Sequence, residues 1–135
     1  MKLVIRENDP KIIDRLKNNF IEDGCYSKEV MSHEFRRLME LCPDDICVLV
    51  GYDDDIVAGF LIAHTCDNRD YAYLAQAVSV ADNNFAKEGF GRMIEWCRSK
   101  GVTEIRYETE RNSSRMMGAK RYGFIEHGVV MSRKL

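Results

Sequence analysis

The run Glu88-Gly89-Phe90-Gly91-Arg92 joins a polar stretch to an apolar periodicity of helical spacing, and a junction of that kind is built to hold an anion. The first turn of a helix exposes unbonded backbone N–H groups and a partial positive charge, and glycines at its entry let a bulky phosphate approach the main chain. Pyrophosphate is the natural guest. The dinucleotide-binding fingerprint needs a further glycine three residues on, where Ile94 stands, and the Lys-Ser/Thr pair of a phosphate-loop NTPase is missing, so neither of those nucleotide sites applies. Metal chemistry has little to build on, because His33 and His127 lack ligand-spaced partners. The five cysteines, Cys25, Cys42, Cys47, Cys66 and Cys97, show no zinc-knuckle spacing and, being odd in number, no paired disulfide framework; reduced thiols are expected.

The elements that must position this run are legible as periodicities. A strand at Lys2 to Arg6 opens the chain, and Asn8-Asp9-Pro10 offers a cap and a first-turn proline for a helix striped with Ile13, Leu16 and Phe20. Ser27 caps a second helix, in which Met31, Phe35, Leu38, Met39 and Cys42 recur at helical intervals until Pro43. The apolar runs Ile46 to Val50 and Ile56 to Thr65 flank Asp53-Asp54-Asp55 and predict a hairpin. Tyr71 to Val80 continues the meander as a third long strand, with Ala72, Leu74, Gln76, Val78 and Val80 on one face. The polar segment Asp82 to Gly91 feeds a helix whose Phe90, Met93, Ile94 and Cys97 stand at i, i+3, i+4 and i+7, closed by Gly101. Glu104 to Glu110 alternates Ile105, Tyr107 and Thr109 against Arg106, Glu108 and Glu110; a short helix from Asn112 and a last strand from Phe124 follow. Strand, two helices, three strands, helix, strand, helix, strand predicts an open mixed sheet with helices on both faces.

With 135 residues, 45% of them hydrophobic, the chain suits a single domain over residues 1–135 whose core needs no staples. A formal charge of −2 lacks the basic excess that phosphate neutralisation demands, which argues against a nucleic-acid partner. Residues 1–81 carry 9 basic against 15 acidic side chains, whereas residues 82–135 carry 11 against 7, so the second half suits an anionic ligand and the first a cationic one. Only three apolar residues precede the first charge after Lys2, too few for a signal-peptide core, and no run approaches membrane-spanning length; a cytoplasmic protein without a membrane partner is expected.

Two local patterns add to the element order. Ala86-Lys87-Glu88-Gly89-Phe90-Gly91 follows the long third meander strand, and Asn112 opens a short helix that leads through Gly123-Phe124 into the last strand. In these respects the chain resembles the GNAT superfamily of acetyl-coenzyme A-dependent N-acetyltransferases. The family's cofactor pattern is Arg or Gln, two residues, Gly, one residue, Gly or Ala; both glycines match and the leading position is Ala86. The family's tyrosine slot, seven residues after the Asn, is Ala119, and the nearest phenol is Tyr122.

The resemblance implies an α/β (α+β) fold: a mixed, mostly antiparallel sheet of about six to seven strands with splayed central strands, flanked by about four helices. It implies acetyl-coenzyme A as cofactor, its pantetheine arm lying between the fourth and fifth strands. There the small residues Ala75, Ala77 and Ser79 permit close approach, and backbone groups of Val78 and Val80 pair with its amides. The N–H groups of Lys87, Glu88, Gly89, Phe90, Gly91 and Arg92 hold the pyrophosphate, with Asn112 in the closing unit. The reaction implied is acyl transfer from the thioester to a primary amine of a small molecule or peptide, and a homodimer is possible because many relatives pair. Tyr122 is then the candidate donor to the leaving thiolate, the Val80 N–H the oxyanion donor, and His64 or Glu108 the base for the ammonium proton. Each base candidate also has a plainer role, His64 as a hydrogen-bonded strand-end residue beside Ile62 and Glu108 in a surface ion pair. Tyr71 and Tyr73 are placed to line the acceptor pocket. The competing expectations are a cofactor-binding module that performs no transfer, motivated by Ala86 and Ala119, and another nucleotide-binding α/β domain using the same helix start.

Overall fold

Runs of apolar and β-branched residues with no polar face suit strands covered on both sides, and they build the centre of the sheet here. In a computed structural model that describes residues 1–22, 26–65, 70–80, 84–109, 113–128, 131 and 133–135, β2 (Ile46–Asp53) and β3 (Ile56–Thr65) form the expected hairpin. Its turn is Asp54-Asp55, with Asp54 at φ +53°, a left-handed conformation that Asp tolerates better than most residues. β1 (Lys2–Val4) pairs antiparallel with β2, β4 (Tyr71–Ser79) antiparallel with β3, and β5 (Glu104–Arg106) parallel with β4, giving one sheet in the order β1-β2-β3-β4-β5. Helices α1 (Ile12–Leu16) and α2 (Lys28–Leu41) cover one face; α3 (Phe85–Ser99) crosses the other, and α4 (Ser114–Arg121) follows β5.

The mixed, mostly antiparallel sheet and its four helices match the expectation, with a lower strand count. Among the described residues five strands are formed, not six to seven: Phe124 to Gly128 form no strand, and residues 129, 130 and 132 lie outside the described residues. β1 ends at Val4 and β5 at Arg106, both short of the expected ends. Among the described residues no helix is long and apolar enough to cross a membrane.

Local chemistry explains the helix ends. Ser27 Oγ accepts the Val30 N–H at 3.2 Å, Asp9 Oδ1 accepts the Lys11 N–H at 3.0 Å, and Gly101, at φ +74°, ends α3. Ile13, Leu16, Phe20, Phe35 and Met39 face the sheet residues Val48, Val50, Phe60 and Ile62, whereas Cys42, expected on the stripe of α2, is exposed past its end.

Two devices fix the site. First, Gly51 and Gly59 are cross-strand partners, and the hole they leave on the α3 face is filled by Phe85, the first residue of α3, which is 1% exposed. A Cβ at Gly51 would come within 2.5 Å of the Phe85 ring, and one at Gly89, a turn further along α3, within 3.2 Å. The glycines are there for close approach of an aromatic ring. Second, β4 carries one extra residue: Leu74 opposes Ala63 and Gln76 opposes Ile62, so Ala75 has no partner in β3. Such a bulge breaks the alternation. Ala72 and Leu74 face α3, while Ala75, Gln76 and Val78 face α1 and α2, so the single face expected for Ala72 to Val80 is split in two.

Gln76, 3% exposed, uses its amide as a piece of backbone: Oε1 accepts the Ile21 N–H at 2.8 Å, and Nε2 donates to the Ile21 carbonyl at 2.9 Å and to the Met31 sulfur at 3.2 Å. Gln76→Leu strands both Ile21 groups and is expected to cost about 1–3 kcal/mol in urea unfolding. A loss below about 0.5 kcal/mol would show that water replaces the clamp without penalty.

Candidate functional site

The β4–β5 ladder runs only from Tyr71↔Glu104 to Tyr73↔Arg106, after which β4 continues to Ser79 with no strand beside it among the described residues. A groove of about 190 Å³ opens there on the α3 side. Ala77, Val78 and Ser79 of β4 form one wall, Phe85, Ala86 and Phe90 of α3 a second, and Arg115, Gly118, Ala119 and Tyr122 of α4 a third, with Tyr107 and Phe124 closing the end. Small residues on three walls leave room for a slender, mostly apolar guest.

The bulge decides which peptide groups look into this slot. Before it, an even-numbered residue faces β5, since the Asp70 carbonyl accepts the Thr103 N–H at 3.0 Å; after it, an even-numbered residue faces β3, since the Val80 N–H donates to the Ala58 carbonyl at 2.8 Å. Antiparallel alternation then turns the peptide groups of Ala77 toward the slot and those of Val78 and Val80 toward β3. The expected use of Val78 and Val80 as slot-facing partners, and of the Val80 N–H as an oxyanion donor, is therefore corrected by one residue.

The helix start is corrected as well. α3 begins at Phe85, and the Glu88 N–H already donates to the Asn84 carbonyl at 3.1 Å. From Glu88 onward, through Gly89, Phe90, Gly91 and Arg92, the N–H groups belong to the helix ladder; the first-turn donors that precede it and lie inside α3 without a ladder acceptor are those of Ala86 and Lys87. Gly89 is buried against Phe85, Gly91 is exposed, the Glu88 side chain is exposed, and Arg92 Nη1 lies 3.6 Å from Glu95 on the same helix. Of the expected run, Phe90 is the one whose side chain lines the groove. Asn112 lies outside the described residues; Ser113 beside it caps α4, its Oγ accepting the Met116 N–H at 3.0 Å.

Tyr122 and Ala119 share the α4 wall, one turn apart. The Tyr122 ring packs on Phe90 with centroids 5.1 Å apart and is 42% exposed, at the mouth of the groove. The guanidinium-bearing Arg115, a cation on the same wall, went unnoticed in the sequence; one turn beyond Asn112 was its only signal.

On the other face of the sheet the two base candidates meet around one phenol. Burial, with the nearby Glu108 carboxylate second, pushes the Tyr73 phenol well above its ordinary range. Tyr73 in turn packs on the His64 ring, centroids 5.5 Å apart. Burial lowers His64 below its ordinary 6.5, against smaller raising effects from the Thr65 backbone and Glu34. The unfolded chain therefore binds a proton first as pH falls, so stability contributed by neutral His64 is present above 6.5 and is lost as pH drops through the folded-state value. His64→Phe is expected to flatten the fall in urea midpoint between pH 7.5 and 5.5 (about one unit either side of the free value); an unchanged slope would assign the fall elsewhere. Burial also pushes Cys47 up to about 12 and Cys97 up to about 11, leaving both thiols protonated and unreactive.

Sequence comparison finds no matching protein-family model and no matching curated protein. Solved structures do match. An aminoglycoside 6'-N-acetyltransferase from Acinetobacter haemolyticus superimposes with a TM-score of 0.72 at 17% identity, covering 100% of this chain and 99% of its own. A predicted acetyltransferase from Clostridium acetobutylicum, solved with acetyl-CoA, gives 0.73 at 12% identity over 98% and 96%. The acetyltransferase AAC(6')-Iy, in complex with a bisubstrate analogue of CoA, gives 0.73 at 16% identity over 100% and 99%. The chain has the GNAT acetyltransferase fold.

Proposed function

We propose that this protein is an N-acetyltransferase that moves the acetyl group of acetyl-coenzyme A to the amine of a small acceptor. The observation that carries the reading is the slot itself: β4 and β5 part after Tyr73, and the gap is walled by the start of α3 and by a phenol on α4. The fit to the cofactor is chemical. The peptide groups of Ala77 face the slot as an edge strand would, ready for the amides of a pantetheine arm, and small side chains line its path. The first-turn N–H groups of Ala86 and Lys87 suit a diphosphate, with Lys87 and Arg115 supplying positive charge where the family pattern has Arg or Gln and this chain has Ala86.

Bound acetyl-coenzyme A supplies an activated thioester. The chain's own residues handle the protons. An ammonium has no lone pair with which to attack, so Glu108 takes its proton; as the C–N bond forms the nitrogen sheds its second proton to water, and as the C–S bond breaks Tyr122 gives its proton to sulfur and is reprotonated from water. His64 touches Tyr73 and serves as packing for it.

Calorimetry with acetyl-coenzyme A, followed by thiol release against a panel of amines, tests the reading. Saturable binding and amine-dependent thiol release are expected. Binding without release from any amine would make the protein a cofactor-binding module, and no binding at millimolar cofactor would end the proposal.

A further inference from the structure

We infer that Phe90 is a positioning residue for the transfer step: its ring seats Tyr122 over the groove, so that the aim of the phenol is set by α3 and not by the helix that carries it. This rests on the acetyl-transfer reading above, in which Tyr122 protonates the leaving sulfur.

α4 has little hold of its own. None of its eight residues, Ser114 to Arg121, is buried, whereas α3 is fixed by buried Phe85, Gly89, Met93, Trp96 and Cys97. A helix of two turns is marginal in isolation, and Gly118 in its interior weakens it further. Tyr122 follows the last residue of α4 and is 42% exposed, a setting in which a side chain ordinarily exchanges between rotamers. A donor that wanders is a poor one, because proton transfer needs its hydroxyl within hydrogen-bond reach of one atom.

Ring contacts supply what burial does not. The chain reverses at Gly123, φ +88°, and the Phe124 N–H donates back to the Ala119 carbonyl at 3.2 Å, so Tyr122 and Phe124 flank one tight turn. Both reach the same partner. The Phe90 centroid lies 5.1 Å from that of Tyr122 and 5.7 Å from that of Phe124, and Phe124 continues to Tyr107 at 6.2 Å. These are separations at which aromatic pairs attract in preferred orientations. Phe90 is itself held, since it lies on α3 between buried Gly89 and Met93, and α3 is keyed into the sheet by Phe85 in the hole above Gly51 and Gly59. The rigidity of the sheet thus reaches the phenol through one ring.

The test is a double-mutant cycle of Phe90→Leu, which keeps apolar bulk and loses the ring, with Tyr122→Phe. Phe90→Leu is expected to lower kcat about tenfold, to keep coenzyme A affinity within about threefold of the parent, and to lower kcat no further in the Tyr122→Phe background. The ring-retaining Phe90→Tyr is expected to stay within about twofold of the parent kcat. A readout that needs no turnover is amide hydrogen exchange on the protein without cofactor. There Phe90→Leu is expected to speed exchange at Tyr122, Gly123 and Phe124, whose N–H groups close the end of α4, about tenfold, and to leave Met93 and Cys97 unchanged. Unchanged exchange at those three amides, or an equal loss of kcat with and without the Tyr122 hydroxyl, would overturn the inference. A parent that binds no coenzyme A, or releases no thiol from any amine, would end the acetyl-transfer reading instead, while the exchange still decides whether Phe90 seats Tyr122.

Discussion

Replacing Phe85 with alanine is expected to destabilise the protein by about 3–5 kcal/mol, the range for emptying a buried aromatic site. The ring is 1% exposed and fills the hole above Gly51 and Gly59, where no side chain of the sheet can collapse inward because neither glycine has one. Phe85 is also the first residue of α3, so the loss loosens the helix start proposed to hold the diphosphate. Urea unfolding measures the first effect and calorimetric cofactor affinity the second. Phe85→Leu, which refills part of the hole, should recover roughly half of the stability. A loss under about 1 kcal/mol for Phe85→Ala would mean that neighbouring side chains close the hole, and the socket would no longer explain the glycine pair.

The second large effect is on turnover. Tyr122→Phe removes one hydroxyl and keeps the ring that packs on Phe90, so cofactor affinity should stay within twofold of the parent while kcat falls by about 10²-fold or more, the contribution of a positioned general acid. Ala119 lines the same wall one turn earlier. A tyrosine introduced there, Ala119→Tyr in the Tyr122→Phe background, is expected to restore part of the lost rate, since both positions look into one groove. Unchanged kcat in Tyr122→Phe would leave the leaving group to water and remove Tyr122 from the chemistry.

Much of the frame was legible because it rests on local rules. Ser27 caps α2 where its hydroxyl and the following periodicity placed it, Gly101 ends α3, and the β2–β3 hairpin turns at the aspartates. What escaped is non-local. Nothing in Tyr71 to Val80 marks Ala75 as the unpaired residue, because a bulge is a mismatch between two strands and alanines at 72, 75 and 77 look alike along one of them. The apolar periodicity of α3 reads from Phe90, and the helix-interior glycines Gly89 and Gly91 cost about 1 kcal/mol each. Burial of Phe85 outweighs that cost, and the helix begins five residues earlier. The groove was legible as a location and less so as a set of atoms: Tyr122, Phe90 and Ser79 line it, while Val80 turns its N–H elsewhere and Arg115 was not foreseen. His64 and Glu108 lie 44 positions apart in sequence, and only the folded chain shows that both lean on Tyr73.

The surplus alanine at position 75 also sets a limit on how the chain can vary. Upstream of it the strand spends its outward hydrogen-bonding capacity on another stretch of the same molecule; downstream, that capacity is reserved for a visitor. Excising this one residue would restore a uniform rhythm to the strand without touching any side chain that lines the berth.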